Sequence, residues 1–224
     1  MKNRIAATTT IMLLALAGLD RPAGACTNIL VSKGASADGS VMVSYSADSG
    51  GSLSHLLYLP AADHEEGEWV EVETWERHSN PSKVRQVAHT YAVYNLMNEH
   101  QVAIGETTTG GRKELRNNEE GLRYSELITL ALQRSKTARE AVLTMAALAQ
   151  EYGYRRSGES FSVADPSEVW LMEIIGKGPD TKGAIWVAAR VPDGYISAHA
   201  NMSRITTIEM DDPDNWLSAP DVID

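Results

Sequence analysis

Cys26 is the one cysteine in 224 residues, and it stands directly after Ala23-Gly24-Ala25. Small residues one and three positions before a cysteine, behind an apolar run, are what a signal peptidase requires. If the chain is cut there, one residue carries both an α-amine, of ordinary pKa about 7.7 to 8.0, and a thiol, of about 8.5. The amine can take the thiol proton, directly or through a water, and pass it later to a departing amine. A thiolate can then attack a carbonyl without a histidine.

Other readings of a lone exported cysteine stay open. It has no intramolecular partner, so it is a free thiol, a lipid attachment point or half of an intermolecular bridge. Lipidation would acylate the amine and remove both catalytic groups, leaving an envelope-anchored, non-catalytic lipoprotein. Against that, the position where a lipobox carries Leu is Ala23, and no Gly/Ser tether follows Cys26. A papain-like Cys and His pair could draw on His89, His100 or His199. Its nucleophile usually sits on a helix, whereas Cys26 opens a predicted strand.

The elements that must position Cys26 begin with the leader. Lys2 and Arg4 form a positive start and Ile11 to Leu19 an apolar stretch, so residues 1–25 read as a signal peptide. That stretch is shorter than the roughly 20 apolar residues of a transmembrane helix, and no later segment approaches that length. The expectation is a secreted or periplasmic protein whose residues 26–224 form one domain. Without the first 25 residues, Lys plus Arg falls from 20 to 17 and Asp plus Glu from 30 to 29, a formal charge of −12 before the new amine is counted. Such a surface repels phosphate backbones, and no basic stripe interrupts it, so nucleic acid is set aside as a partner.

Thr27 to Lys33 and Ser40 to Tyr45 read as a hairpin around Asp38-Gly39, which returns Asp48 close to Cys26. Leu53 to Leu59 and Trp69 to Trp75 read as strands, separated by the acidic loop 63–68. That loop lacks metal-ligand spacing. Val87 to Met97 and Gln101 to Thr109 form a second predicted hairpin. Two amphipathic helices follow, Tyr124 to Ser135 and Thr137 to Tyr152, the latter with a Thr137/Glu140 capping box and Gly153 as its stop. Ser160 to Ala164 with Glu168 to Ile175, and Ala184 to Val191 with Tyr195 to Ala200, are the third and fourth predicted hairpins. Strands, a helix pair, then strands argue for an α+β layered domain.

Cys26-Thr27-Asn28-Ile29-Leu30-Val31, Lys33 to Ser40 and Asn98 to Thr108 resemble the family C69 dipeptidases, as do Glu159 to Asp165 and Val191 to Asn201. These are cysteine N-terminal nucleophile hydrolases related to penicillin V acylase and bile salt hydrolase. The resemblance implies a four-layer αββα sandwich, no cofactor or metal, and dipeptide substrates cleaved through a thioester. An N-acyl amide hydrolase of the penicillin V acylase type is the enzymatic alternative. It further implies Cys26 as nucleophile, Asp48 as the group orienting its amine, and Asn201 near the amine and oxyanion. Thr108, with Thr107 almost interchangeable, falls where acylases place an oxyanion-hole side chain, and Tyr45 replaces an arginine that acylases carry. Members of the family run to about twice this length, so the sandwich is expected to be incomplete at the C-terminus.

Overall fold

The computed structural model describes residues 26–48, 56–76, 80–117 and 120–223. The signal-peptide reading of residues 1–25 and the first part of the Leu53–Leu59 strand lie outside the described residues.

The first hairpin forms as its β-branched runs and the Asp38-Gly39 turn predict, with β1 (Thr27–Val31) antiparallel to β2 (Met42–Ser46) and Thr27 level with Ser46. Gly39 takes φ +76 in the connection, a left-handed conformation that suits glycine. Beyond it lie β3 (Tyr58–Leu59), β4 (Ala62–Asp63), β5 (Trp69–Glu71), β6 (Lys83–Arg85) and β7 (His89–Thr90), then β8 (Val93–Tyr94) and β9 (Met97–Asn98), all short. The long strands are β10 (Ala103–Gly110), β11 (Gly158–Ala164), β12 (Val169–Gly176) and β13 (Ala184–Arg190), followed by β14 (Ile196–His199) and β15 (Trp216–Ser218). Between β10 and β11 come helices α1 (Tyr124–Arg134) and α2 (Ala138–Tyr152).

The strands form an eight-stranded antiparallel sheet in the order β15-β13-β12-β11-β10-β9-β8-β3, a three-stranded sheet β14-β1-β2, and the pairs β4-β7 and β5-β6. On one face of the large sheet, Leu127, Ile128, Leu132, Val142 and Met145 of the helices pack with Phe161, Val163, Trp170 and Met172 in the main core. Each such buried side chain contributes about 1.5–3 kcal/mol. The other face meets the three-stranded sheet, so the described residues stack as helices, large sheet and small sheet. The α+β class is therefore observed.

Helix α2 is capped as its sequence predicts. Thr137 Oγ1 accepts from the Glu140 N–H at 3.1 Å, and Gly153, at φ +86, returns its N–H to the Ala149 carbonyl.

Two predicted hairpins require correction. The arm 87–97 is divided into β7, β8 and β9, and only Met97 pairs with β10, opposite Ala103. Asn95 interrupts it at φ +54, a left-handed backbone that cannot continue a strand. Strands β13 and β14 do not pair at all. The outer edge of β13 is taken by β15, and the chain after Pro192-Asp193-Gly194 crosses to the free edge of β1. The Gly34 N–H bonds to Asp193, and Ser32 bonds to Tyr195, fastening that crossing. Turn residues mark where a chain reverses, not which edge receives it.

Candidate active site

Cys26 precedes β1, half-buried and a free thiol. Strand β1 is central in its sheet, so Cys26 acquires neighbours on both sides. Asn28 stands opposite His199, the last residue of β14, so that Cys26 precedes this pair by two residues and Asn201 follows it by two. On the other side Thr27 stands opposite Ser46, which brings Ala47, the neighbour of Asp48, level with Cys26. The Asp48 backbone N–H donates to the thiol.

Desolvation pushes the Cys26 thiol above its ordinary pKa, and the Asp48 N–H partly offsets it. The charges of Glu106, Asp48 and Glu159 raise it further. Among the described residues, the charged groups that act most strongly on the sulfur are carboxyls.

Asn201 and Thr108 meet directly. Asn201 holds a left-handed backbone at φ +46, and its Nδ2 donates to the Thr108 carbonyl at 2.8 Å. The Thr108 hydroxyl donates to Glu159 Oε1 at 3.0 Å. What Thr108 offers Asn201 is thus its carbonyl, while its side chain serves an acid. The four residues named from the sequence divide into two touching pairs, Cys26 with Asp48 and Asn201 with Thr108.

Glu106 and Glu159 had no role assigned from the sequence. Both lie within strands and are 3% and 2% exposed. Tyr45 OH donates to Glu106 Oε1 at 2.7 Å. Gly105 makes room for this: a Cβ there would stand 3.0 Å from Tyr45 Cβ and from the Asn28 amide. The two carboxyls bond to each other, and both pKa values rise, first through burial. Oε2 of each has no donor from any other group. Two carboxyl oxygens can bond only through a proton, so the pair holds one between them. The signal was a single acid set inside an otherwise apolar and hydroxyl-bearing strand, as in Ala103-Ile104-Gly105-Glu106-Thr107. Tyr124 OH donates to Glu76, which brings a third carboxylate toward the same region. Among the described residues no three His, Cys, Asp or Glu side chains gather as a metal ion would need, and no helix is long and apolar enough to cross a membrane.

None of the three candidate histidines acts on Cys26. His89 Nδ1 bonds to Asp63 at 2.6 Å, and His100 packs edge-on against Tyr91. His199 is buried with both ring nitrogens engaged, by Thr107 Oγ1 at 2.7 Å and Ser162 Oγ at 2.8 Å. Burial, and secondarily the Arg204 charge, brings its pKa down to about 4, so the ring is neutral.

The chain is similar to several bacterial proteins. It is 30% identical over 216 residues to "Probable dipeptidase A" of Streptococcus pyogenes serotype M3, covering 89% of this chain and 45% of that protein. It is 29% identical over 221 residues to "Dipeptidase A" of Lactobacillus helveticus, with the same coverage of each. To "Dipeptidase" of Bifidobacterium longum it is 28% identical over 225 residues, covering 84% and 39%. The chain thus spans less than half the length of these relatives. The model of peptidase family C69 matches residues 25–72 and 57–224, which between them hold Cys26, Asp48, Glu106, Thr108, Glu159 and Asn201. With nearly all of the described residues inside that match, this chain belongs to peptidase family C69.

Proposed function

We propose that the protein is a cysteine dipeptidase, secreted or periplasmic, whose nucleophile is Cys26 freed as an N-terminus by cleavage after Ala25. The observation that carries this reading is the position of Cys26 at the head of the central strand β1, where the Asp48 backbone N–H reaches its thiol. A group at the start of a central strand can be flanked by two chain segments at fixed heights.

In the cycle, the Cys26 amine takes the thiol proton and the thiolate adds to the scissile carbonyl. Cleavage replaces a neutral peptide nitrogen with a titratable amine beside a thiol that burial, and secondarily the nearby carboxyls, otherwise hold protonated, and Asp48 orients that amine. The second N–H of Asn201, not used on Thr108, is available to the oxyanion together with backbone amides. Loss of one such donor costs about 3 kcal/mol of transition-state stabilisation. The ammonium then returns its proton to the leaving amino acid, the C–N bond breaks, and a thioester remains. Water, deprotonated by the same amine, resolves the thioester and releases the second amino acid.

The anionic surroundings favour a dipeptide over an N-acyl amide. A dipeptide places an α-ammonium on the carbon next to the scissile carbonyl, within the field of Asp48 and of the one negative charge left on the Glu106–Glu159 pair. An N-acyl chain brings no compensating charge.

Ile29, Met42 and Ile196 are 44%, 47% and 60% exposed, side by side on the outer face of the three-stranded sheet. A helix layer over that face would complete the four-layer αββα sandwich of N-terminal nucleophile hydrolases.

The test uses the longest reading frame that contains this chain, exported from a bacterial host. Its intact mass should begin at unmodified Cys26, it should hydrolyse dipeptides with free amines faster than their N-acetyl forms, and Cys26→Ser should abolish turnover. A lipidated Cys26, or full activity in Cys26→Ser, overturns the reading.

A further inference from the structure

We infer that His199 is a positioning residue whose hydrogen-bond chain ties β1, β10, β11 and β14 together and so holds Asn201, just beyond β14, against Thr108 on the side of the sheet where Cys26 stands. This rests on the reading of Cys26 as nucleophile and of Asn201 as a donor to its oxyanion.

The spacing is regular. On β1, Asn28 lies two residues inward of Cys26. Before the end of β14, His199 lies two residues inward of Asn201, and on β10, Thr107 adjoins Thr108. These inner residues, with Ser162 of β11, form one continuous chain between the two sheets. All four are buried, none more than 3% exposed.

The direction of the chain is set by Asn28. One orientation of its amide satisfies every neighbour: Oδ1 accepts from the Glu106 N–H at 3.2 Å and from Ser162 Oγ at 2.9 Å, while Nδ2 donates to the Thr27 carbonyl at 3.1 Å. The opposite orientation sets Nδ2 toward Ser162 and leaves the Glu106 N–H without that acceptor, so the first is preferred. The Ser162 hydroxyl proton therefore points at Asn28. Its oxygen must accept from Nε2–H of His199, and Nδ1 accepts from the Thr107 hydroxyl. The ring is the neutral Nε2–H tautomer, unavailable as a base for Cys26 because both nitrogens are in use.

The segment just beyond β14 requires such a clamp. Two residues after His199 the backbone turns left-handed at Asn201, a conformation non-glycine residues seldom hold unaided. Asn201 is retained outward by the Thr108 carbonyl and inward by His199, whose own ligand Thr107 adjoins Thr108. A shift of β14 against β10 would break both contacts together and carry the Asn201 amide away from the carbonyl that Cys26 attacks.

The test uses the full-length, processed protein with His199→Ala, His199→Gln and Thr107→Val, each alone and combined with Asn201→Ala. On a free dipeptide, His199→Ala should lower kcat by about 10- to 100-fold, the scale of an ångström-sized misplacement, with KM changed less than about threefold. His199→Gln, which keeps one donor and one acceptor, should recover part of that loss. In the Asn201→Ala background the same His199→Ala change should cost less than about threefold, because the group it positions is gone. Wild-type kcat in His199→Ala, or losses that multiply independently, would overturn the clamp. A second readout needs no activity: hydrogen exchange of the Asn201 side-chain amide should quicken in His199→Ala and in Thr107→Val, which keeps its volume should the first variant unfold, but not in the surface control His89→Ala. Unchanged exchange in both overturns the clamp whatever the protein hydrolyses. Quickened exchange in a protein that hydrolyses no dipeptide supports the clamp and sinks the proposed function instead.

Discussion

The two faces of β10 solve opposite problems with adjacent residues. Toward the small sheet, Thr107 opens a chain of four neutral polar groups in which each donor finds an acceptor. Toward the helices, Glu106 lies opposite the core residue Phe161 and shares a proton with Glu159, and among the described residues no cation ranks with the groups that act on them. A satisfied neutral network is a low-cost way to fix geometry in a core. A buried acid pair is expensive, and its position beside the proposed nucleophile points to function rather than stability. One face aligns the site and the other sets its charge.

The largest effect that separates these roles belongs to the nucleophile they both serve. Cys26→Ser should lower dipeptide turnover by more than about 1,000-fold, measured on the processed full-length protein, with thermal stability unchanged because the side chain is half-buried. Next, Glu106→Gln should leave the clamp intact yet reduce the preference for a free over an N-acetylated dipeptide by about 10- to 100-fold, the worth of one charge-assisted hydrogen bond. The ratio of kcat/KM for the two substrates reads it. An unchanged ratio would assign the acid pair to the fold alone.

The faces should also tilt stability in opposite directions with pH. His199 is neutral in the fold down to about 4 but protonates near 6.5 when unfolded. The unfolded state binds more protons in that window, so stability is full above 6.5 and is lost as pH falls toward 4, by about 3 kcal/mol. Arg204 is the one charge acting on this ring. The acid pair has the reverse sign. Glu159 is raised in the fold, so its contribution is present below the unfolded carboxyl range and is lost as pH rises through the raised value. Urea titrations across pH should show His199→Gln flattening the acid limb and Glu159→Gln the alkaline limb. The smallest effect falls where the faces touch. Gly105→Ala places a Cβ 3.0 Å from Asn28 and Tyr45 and should cost about 1–3 kcal/mol, read as a lowered urea midpoint.

Local patterns were legible where each element depends on its own residues. The α2 cap at Thr137 and Glu140, its stop at Gly153 and the β1-β2 hairpin follow from side-chain chemistry within a few positions. The fourth hairpin was not legible, because Pro192-Asp193-Gly194 demands a reversal without naming the receiving edge. Asn28 and Ile29 show the same limit in one strand: the apolar residue is 44% exposed and the polar one fully buried. Alternation alone would orient that strand the other way, and only the acceptors and donors waiting across the sheets explain the inversion.

From the sequence alone came a lone cysteine behind small residues, the chemistry its amine and thiol could perform together, a strand beginning beside it, and an α+β class. These depend on neighbours along the chain. The tertiary structure decided that the Asp48 N–H reaches the Cys26 thiol, that Thr108 offers Asn201 a carbonyl, that Glu106 and Glu159 meet, and that His199 is a neutral link rather than a base. Each of those depends on residues up to 93 positions apart, from Thr108 to Asn201, brought together by the pairing of the sheets. Register is set by which edges pair and which faces bury, a property of the assembled sheets rather than of any one stretch.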